Sequence, residues 1–344
     1  MQRKTNVQKL YLLAFKSHGF GLIESLIGVC ISAILVLGLS HWYANQSHHS
    51  HTLSTQQVMD SRASMALSLL KSAVIRAGFW ADFHSDINST MVLSNALQNE
   101  LASSACSTVH ESQRFNALPK PGRDLVLYAY EFQYVATQGF DCLRSRTQVQ
   151  QGSDVIFVKG LGPRLPQRVA NRVMWASSPG QAYAFTIDDP VNALEASERR
   201  ELNQELFFID SYGVDARPSL RRLYLMRSSA NGNLRMYYDP ALVRDVVWIK
   251  IKALIDSDNP LDYLVDDEQL VSQLSVDDWL EQRVRALQIA VVVRSESKVT
   301  KPHADLSLQL LGEQWPIPQD SHWYKSYQSL VVFRNAEQAW SESE

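Results

Sequence analysis

The chain has 344 residues, of which 45% are hydrophobic and 20% charged, and it carries a formal net charge of −3 at pH 7. That length and apolar content are enough to bury the core of one large domain or of two lobes. The charge balance is mildly acidic, and no run rich in Lys or Arg follows the first residues. Nucleic acid is therefore not expected as the main partner, because phosphate binding needs a basic surface.

The first nineteen residues form a basic segment. They contain Arg3, Lys4, Lys9 and Lys16 and no acidic residue, so the chain without them has a net charge of −7. Basic flanks stay in the cytoplasm when an apolar segment inserts into a membrane. The sequence therefore predicts that residues 1–19 remain cytoplasmic and that the long remainder is exported.

An apolar run follows this basic segment. The twenty residues from Phe20 to Leu39 would span about 30 Å as a helix, which matches the hydrocarbon core of a bilayer. Trp42 and Tyr43 follow the run after two residues, at the position expected for the membrane interface, which aromatic residues favour. Glu24 lies near the start of the run. Inserting an ionised Glu into a membrane costs about 2–3 kcal/mol of free energy, so we expect this carboxylate to have a partner or a function.

The stretch Gly19-Phe20-Gly21-Leu22-Ile23-Glu24 resembles the prepilin signal of type IV pilins and of type II secretion pseudopilins. The resemblance implies that a membrane aspartyl peptidase, the prepilin peptidase, cleaves between Gly19 and Phe20 and methylates the new amino terminus at Phe20. It also implies that Glu24 pairs with the terminal amine of a neighbouring subunit during assembly. The alternative is an uncleaved signal anchor that carries an acidic residue by chance.

The helical pattern continues beyond the apolar run, since no Gly or Pro occurs between Ser40 and Ala77. The spacing predicts one helix from Phe20 to about Ala77 that stops at Gly78. We expect a prepilin leader at 1–19, a transmembrane and polymerisation half at 20–41, an amphipathic half at 42–78 and an exported globular β-rich domain at 79–344. The predicted buried stripe contains Met59, Ala63, Ala66, Leu70, Ala73 and Ala77, widened by Val58, Met65, Leu69 and Val74.

After Gly78 the apolar period changes from 3.6 to 2, which predicts strands. Strand follows strand, so the expected fold class is α+β, pilin-like: a long N-terminal helix packed on a mainly antiparallel sheet. Asn231-Gly232-Asn233 predicts a hairpin turn, residues 84–118 and 164–200 are interpreted as rich in loops, and short helices are expected at Ala193–Asn203 and Val276–Arg283. The candidate strands are Asp124–Val135, Asp154–Lys159, Glu205–Ser211, Arg222–Met226, Leu234–Tyr238, Val243–Ala253, Val284–Arg294 and Ser329–Arg334.

Several later blocks resemble PilW-type minor pilins in the same order. The resemblance implies a minor pilin of a type IV pilus that helps to prime assembly near the tip. Its implied partners are the prepilin peptidase, other minor and major pilins and the inner membrane, which it would cross once with a periplasmic C-terminal domain before joining the pilus at the cell surface. The blocks are Arg62–Leu70, Ile75–Phe79, Ser153–Gly160, Leu242–Ile251, Arg283–Ser295 and Leu330–Asn335.

Two alternatives to a minor pilin remain open at this stage, and a tip adhesin is a third possibility that is compatible with the minor-pilin prediction. The first is a J-like pseudopilin of a type II secretion system, which would use the same processing. The second is a membrane-anchored periplasmic binding protein or enzyme that is never cleaved at Gly19. The sequence lacks the nucleophile-elbow, zinc-protease and phosphate-loop motifs, so we expect no enzyme activity, cofactor or metal.

Cysteines, acidic residues and aromatic residues give further expectations. Cys106 and Cys142 lie in the part expected to be exported, where oxidation is favoured, so they are a candidate disulfide; two buried thiols or a metal pair remain alternatives. The acidic segment 256–268 lacks the Gly that an EF-hand loop needs, which favours a surface loop over a calcium site. Four aromatic residues are expected to pack in the core more than to serve as interface anchors: Trp80, Trp315, Trp323 and Tyr324.

Overall fold

The computed structural model describes residues 21–81, 90–93, 97, 126–133, 140–144, 148–165, 167, 169–178, 181–187, 199–211, 216–227, 234–258, 264–281, 283–299 and 307–333. The chain divides into two compact units, Met1–Ser54 and Thr55–Glu344. Apart from the long helix, all the strands and helices given below lie in the second unit.

One helix, α1, covers Leu22–Arg76, which confirms the predicted continuous helix. Gly78 follows it with a φ of +68°, a conformation that glycine adopts without steric cost, so the predicted stop is confirmed as well. The prediction that Val58 and Met65 belong to the buried stripe was wrong, because their side chains are exposed. The whole predicted stripe is buried in the second unit: Met59, Ala63, Ala66, Leu70, Ala73 and Ala77.

The larger sheet contains nine of the described strands. Two strands pair with the same edge of β6: β4 pairs with its first residues and β7 with its last. The other edge of β6 pairs with β3. The pairs are antiparallel except for β1 with β5. The strands are β1 (Thr90–Leu93), β2 (Leu127–Glu131), β3 (Asp154–Arg164), β4 (Met174–Ser178), β5 (Gln181–Phe185), β6 (Arg199–Asp210), β7 (Ser219–Arg227), β8 (Leu234–Tyr238) and β9 (Val243–Arg244).

A second sheet has the strand order β11-β10-β12-β15, and all its pairs are antiparallel. A small two-stranded sheet is formed by β13 and β14. Two short helices complete the described elements, α2 (Asp141–Arg144) and α3 (Val276–Leu280), with a 3₁₀ turn at Val271–Gln273. The strands are β10 (Val246–Ile255), β11 (Asp267–Leu270), β12 (Val284–Arg294), β13 (Ser307–Leu310), β14 (Glu313–Pro316) and β15 (Tyr324–Val332).

The α+β class with mainly antiparallel strands is confirmed, but the layout differs from a single sheet. The helix expected at Ala193–Asn203 was wrong from residue 199 onward, because Arg199–Asp210 is a strand held between β3 and its other neighbours. The region 164–200 contains the hairpin of β4 and β5, and the region 84–118 contains β1. Ala and Ser are not typical strand residues, so the sequences of β4 and β5 do not predict strands clearly. Burial of the Trp175 side chain stabilises β4 in spite of this composition. The short helix at Val276–Leu280 is confirmed, as is the pairing of β7 with β8, although its turn lies outside the described residues.

The two large sheets are joined where β3 begins. The Ile249 N–H donates to the Ser153 hydroxyl at 3.0 Å, and the Ile251 N–H donates to Asp154 Oδ2 at 2.6 Å. Both acceptors are buried, and burial raises the pKa of Asp154 to about 8, although the nearby charge of Lys250 acts in the opposite direction. A buried carboxyl group therefore ties β10 to the larger sheet.

This carboxyl group predicts a particular dependence of stability on pH. Between the usual pKa of 3.8 and about 8, the folded chain keeps a proton on Asp154 that the unfolded chain releases. The contribution of Asp154 to the free energy of unfolding is thus largest at low pH and falls as the pH rises through this range. We expect Asp154→Asn, which keeps the acceptor for Ile251, to flatten that slope in urea unfolding measured across the range. The exposed Asp277→Asn is the control, and an unchanged slope in Asp154→Asn would contradict the assignment.

Candidate functional site

The start of α1 carries the predicted assembly residue. Glu24 lies in the first turn of the helix, and its Oε2 accepts a hydrogen bond from the Gly21 N–H at 3.1 Å. A carboxylate in this position is favourable because the helix dipole is positive at its amino-terminal end. Gly19 and Phe20 lie outside the described residues, so the cleavage and methylation site remains a prediction. The Glu24 side chain is exposed, which leaves it accessible to a cation from another chain.

The apolar side chains around Glu24 are exposed as well. From Leu22 to Leu39 the large hydrophobic residues have exposed fractions between 51% and 83%. A continuous apolar surface of this size is unfavourable in water and is typical of contact with lipid or other helices. α1 is also long and apolar enough to cross a membrane once.

Polar groups in this part of α1 satisfy their hydrogen bonds within the helix. The Ser25 hydroxyl donates to the Leu22 carbonyl oxygen at 2.9 Å, and the Ser32 hydroxyl donates to the Gly28 carbonyl oxygen at 2.7 Å. Hydroxyls bonded in this way tolerate an apolar environment. A side chain added at Gly28 would meet no described atom within 4 Å, so the helix surface there is open to close approach by another helix.

The second half of α1 is held by a buried carboxylate at the junction of β9 and β10. Asp245 is fully buried, and its Oδ2 lies 2.7 Å from Arg62 Nη1 of the helix. Its Oδ1 lies 3.2 Å from Arg294 Nε at the end of β12. Glu296 joins the network by pairing with Arg62 at 2.8 Å and with Arg217 at 3.0 Å. One residue thereby connects the helix to strands of both large sheets.

A second polar network lies at the carboxyl-terminal end of α1. Arg76 Nη2 is 3.1 Å from Glu205 Oε2 on β6, and Glu205 also pairs with Arg222 on β7 at 2.5 Å. The Gly78 N–H donates to the Lys159 carbonyl oxygen of β3 at 3.0 Å. The end of α1 lies so close to β3 that a Cβ on Gly160 would be only 2.2 Å from the Arg76 carbonyl oxygen. Any larger residue at Gly160 would push the helix end away from β3.

An exposed contact joins α1 to the edge strand β15. Lys325 Nζ lies 2.9 Å from Asp60 Oδ1, and the Tyr327 hydroxyl donates to the same oxygen. The hydrogen bond from Tyr327, followed by that from Lys325, lowers the pKa of Asp60. Both charged side chains are about half exposed, so removing one partner of this pair should destabilise the fold far less than removing one partner of the buried pair of Arg62 and Asp245.

The acidic segment 256–268 was expected to be a surface loop, which is wrong at its end, because Asp267 and Glu268 belong to β11 and pair with β10. Asp256 is fully buried and pairs with Arg285 at 2.8 Å. The Asp266 carboxylate accepts from the Ser257 N–H at 2.9 Å. Residues 259–263 lie outside the described residues. In the part of the chain that is described, no group of three or more His, Cys, Asp or Glu side chains is placed to hold a metal ion.

The four aromatic residues that were expected to pack in the core are buried or partly buried. Trp80, Trp315 and Tyr324 are buried, and Trp323 is partly buried against the main core. Cys142 of α2 is partly buried against the same core. Cys106 lies outside the described residues, so the Cys106–Cys142 pair remains a prediction.

Residues 207–335 match the family model PilW, described as type IV pilus-assembly protein W. This part of the chain is PilW-like. Neither the curated proteins nor the solved structures contain a significant match. The PilW match supports a role related to type IV pilus assembly, and together with the apolar helix it fits a membrane-anchored protein.

The PilW match confirms part of the resemblance inferred from sequence. It includes the blocks Leu242–Ile251, Arg283–Ser295 and Leu330–Asn335, whereas the three blocks nearer the amino terminus lie before its first residue. Asp245, Arg294 and Glu296 fall within it, whereas Arg62 on α1 does not. Sequence reasoning missed this network, since no motif marks a carboxylate whose partners come from distant segments.

Proposed function

We propose that this protein is a minor pilin of a type IV pilus that is cleaved by prepilin peptidase, joins the filament and helps to prime assembly near the tip. One observation carries the proposal: an exposed apolar helix with Glu24 in its first turn occurs in the same chain as a PilW-like segment. The inner membrane would hold the precursor, with the second unit in the periplasm. Other minor pilins and the major pilin would then be its partners in the filament.

The proposed mechanism is assembly rather than chemistry on a substrate. Cleavage after Gly19 would free the amine of Phe20, and Glu24 of one subunit would neutralise that amine on a neighbour. Transfer into an apolar bundle penalises an unpaired carboxylate by about 2–3 kcal/mol, so only a register that pairs it is favoured. Gly28 and Ser32 would allow the helices to approach closely.

The mature amino terminus tests this proposal directly. We expect mass spectrometry of the full chain, tagged at its carboxyl terminus and extracted from membranes, to find N-methylated Phe20 when prepilin peptidase is present. Cells lacking the peptidase should yield the chain with residues 1–19 attached, and Gly19→Leu should have the same effect in cells that have it. A leader retained under every condition would contradict the proposal and indicate an uncleaved membrane-anchored protein.

Deletion of the protein separates a pilus from a secretion apparatus. A minor pilin predicts fewer surface pili with secretion unchanged, whereas a J-like pseudopilin predicts the opposite result. The PilW match supports the first outcome.

A further inference from the structure

A cleft with a volume of about 640 Å³ lies in the second unit. Its walls come from β10, from the β13–β14 hairpin and from the segments that precede β3 and β7. The volume is within the range of about 300–1,000 Å³ that is typical of small-molecule sites. All the residues discussed below belong to the described part of the chain.

Aromatic rings form one wall of the cleft. The centroids of Trp248 on β10 and Trp315 on β14 are 5.9 Å apart, and those of Trp315 and Tyr324 are 5.5 Å apart. Gly152 has a φ of +79°, and a Cβ there would lie 3.0 Å from the Trp248 ring. Gly152 therefore leaves the space that the Trp248 ring needs. Because Trp248 remains partly exposed, its ring is accessible from the cleft.

Charged groups also line the cleft, and they are already paired with one another. Lys250 Nζ lies 3.1 Å from both Glu131 Oε2 and Glu313 Oε2. Asp320 Oδ2 accepts from the Tyr324 hydroxyl at 2.6 Å and lies 3.9 Å from Arg294 Nη1. Two cations thus face three carboxylates.

This charge balance selects the class of ligand. An anion would meet three carboxylates, and a cation would have to compete with Lys250 and Arg294 for their partners. A neutral ligand rich in hydroxyl groups could donate to the carboxylates and accept from the cations without breaking any existing pair. Its C–H faces could pack against the indole ring of Trp248.

We propose that this cleft binds a short neutral saccharide. The proposal goes beyond a role in filament assembly, and it does not depend on cleavage at Gly19 or on Glu24. An exported subunit with such a site would bring a sugar-binding surface to the cell exterior. The saccharide would contact Trp248 through its apolar face and Glu313 and Lys250 through its hydroxyls.

Saccharide binding can be measured on the full chain. The protein is purified in a zwitterionic detergent, because detergents with sugar head groups could occupy the cleft. The neutral probes are maltotriose, cellotriose, triacetylchitotriose and N-acetyllactosamine, and the anionic probes are sialyllactose and a heparin tetrasaccharide. Binding is followed by tryptophan fluorescence and by saturation-transfer NMR.

We expect at least one neutral probe to bind in the millimolar range or tighter, with affinity reduced about tenfold or more in Trp248→Ala and in Glu313→Gln. Glu313 is about half exposed, so its variant should fold even if Trp248→Ala does not. Trp42→Ala, which removes an exposed indole in the other unit, should bind as the unmodified chain does. Three outcomes would overturn the proposal: no neutral probe binds, only anionic probes bind, or the cleft variants bind as well as Trp42→Ala.

Discussion

Replacing Glu24 with alanine is expected to reduce incorporation of this protein into filaments by about 30- to 140-fold, while its insertion in the membrane is retained. The estimate follows from the cost of about 2–3 kcal/mol for an unpaired charge in a bilayer, since each 1.4 kcal/mol is a factor of ten. Without the Glu24 carboxylate, the amine of a neighbouring Phe20 would have no anionic partner. The measurement is the amount of tagged protein in sheared filaments relative to the amount in membranes.

Three further substitutions make this experiment specific. Glu24→Gln keeps the size of the side chain but removes its charge, so it should behave as Glu24→Ala does. Glu24→Asp keeps the charge with a shorter reach and should give an intermediate value. Ser25→Ala changes the adjacent residue, whose hydroxyl bonds only within its own helix, and should have little effect. Normal incorporation of Glu24→Ala would remove Glu24 from the assembly mechanism.

The second large effect is expected at Asp245. We predict that Asp245→Asn lowers the free energy of unfolding by about 3 kcal/mol, the lower end of the loss seen when one partner of a buried ion pair is removed. The lower end applies because Arg62 and Arg294 remain partly exposed to water. Asparagine also tolerates the left-handed conformation found at this position, where φ is +62°, so the loss would report the charge and not backbone strain.

The chain supplies a matched control on the same helix. Asp60→Asn breaks an ion pair that also joins α1 to a strand, but both of its charged side chains are about half exposed. We expect this variant to lose at most about 1 kcal/mol. Urea unfolding of the full chain gives both values, and hydrogen exchange over residues 59–77 shows whether the helix separates from the sheets. Equal losses in the two variants would mean that Asp245 is not the dominant contact.

The helix and its boundaries could be predicted because the signals are local. The spacing of Met59, Ala63 and Leu70 repeats with the period of a helix, and Gly78 stops it by adopting a positive φ. The strands predicted at Arg222–Met226, Leu234–Tyr238 and Val284–Arg294 were also close to their observed positions, since they are rich in Val, Ile, Tyr and Leu. The sequence did not predict β11, β13 and β14, each of which has only four residues. In contrast, β4 and the first residues of β6 contain Ala, Ser, Glu and Arg, whose local preferences do not favour a strand. Pairing of β6 with β3 and burial of Trp175 in β4 override those preferences. Neither effect can be inferred from a short segment of the sequence.

By itself, the sequence determined that this chain has a basic amino-terminal segment, an apolar segment with Glu24 near its start, a long helix and a β-rich remainder, part of which is PilW-like. These features are local in the chain, and residue type and spacing are sufficient to define them. Only the tertiary structure decided that the strands form two large sheets, that Asp245 holds the helix, and that Trp248, Lys250 and Glu313 surround one cleft. The reason is that Arg62 and Asp245, and likewise Lys250 and Glu313, come from segments tens to hundreds of positions apart, and their contacts arise from strand order and register, which no local pattern encodes.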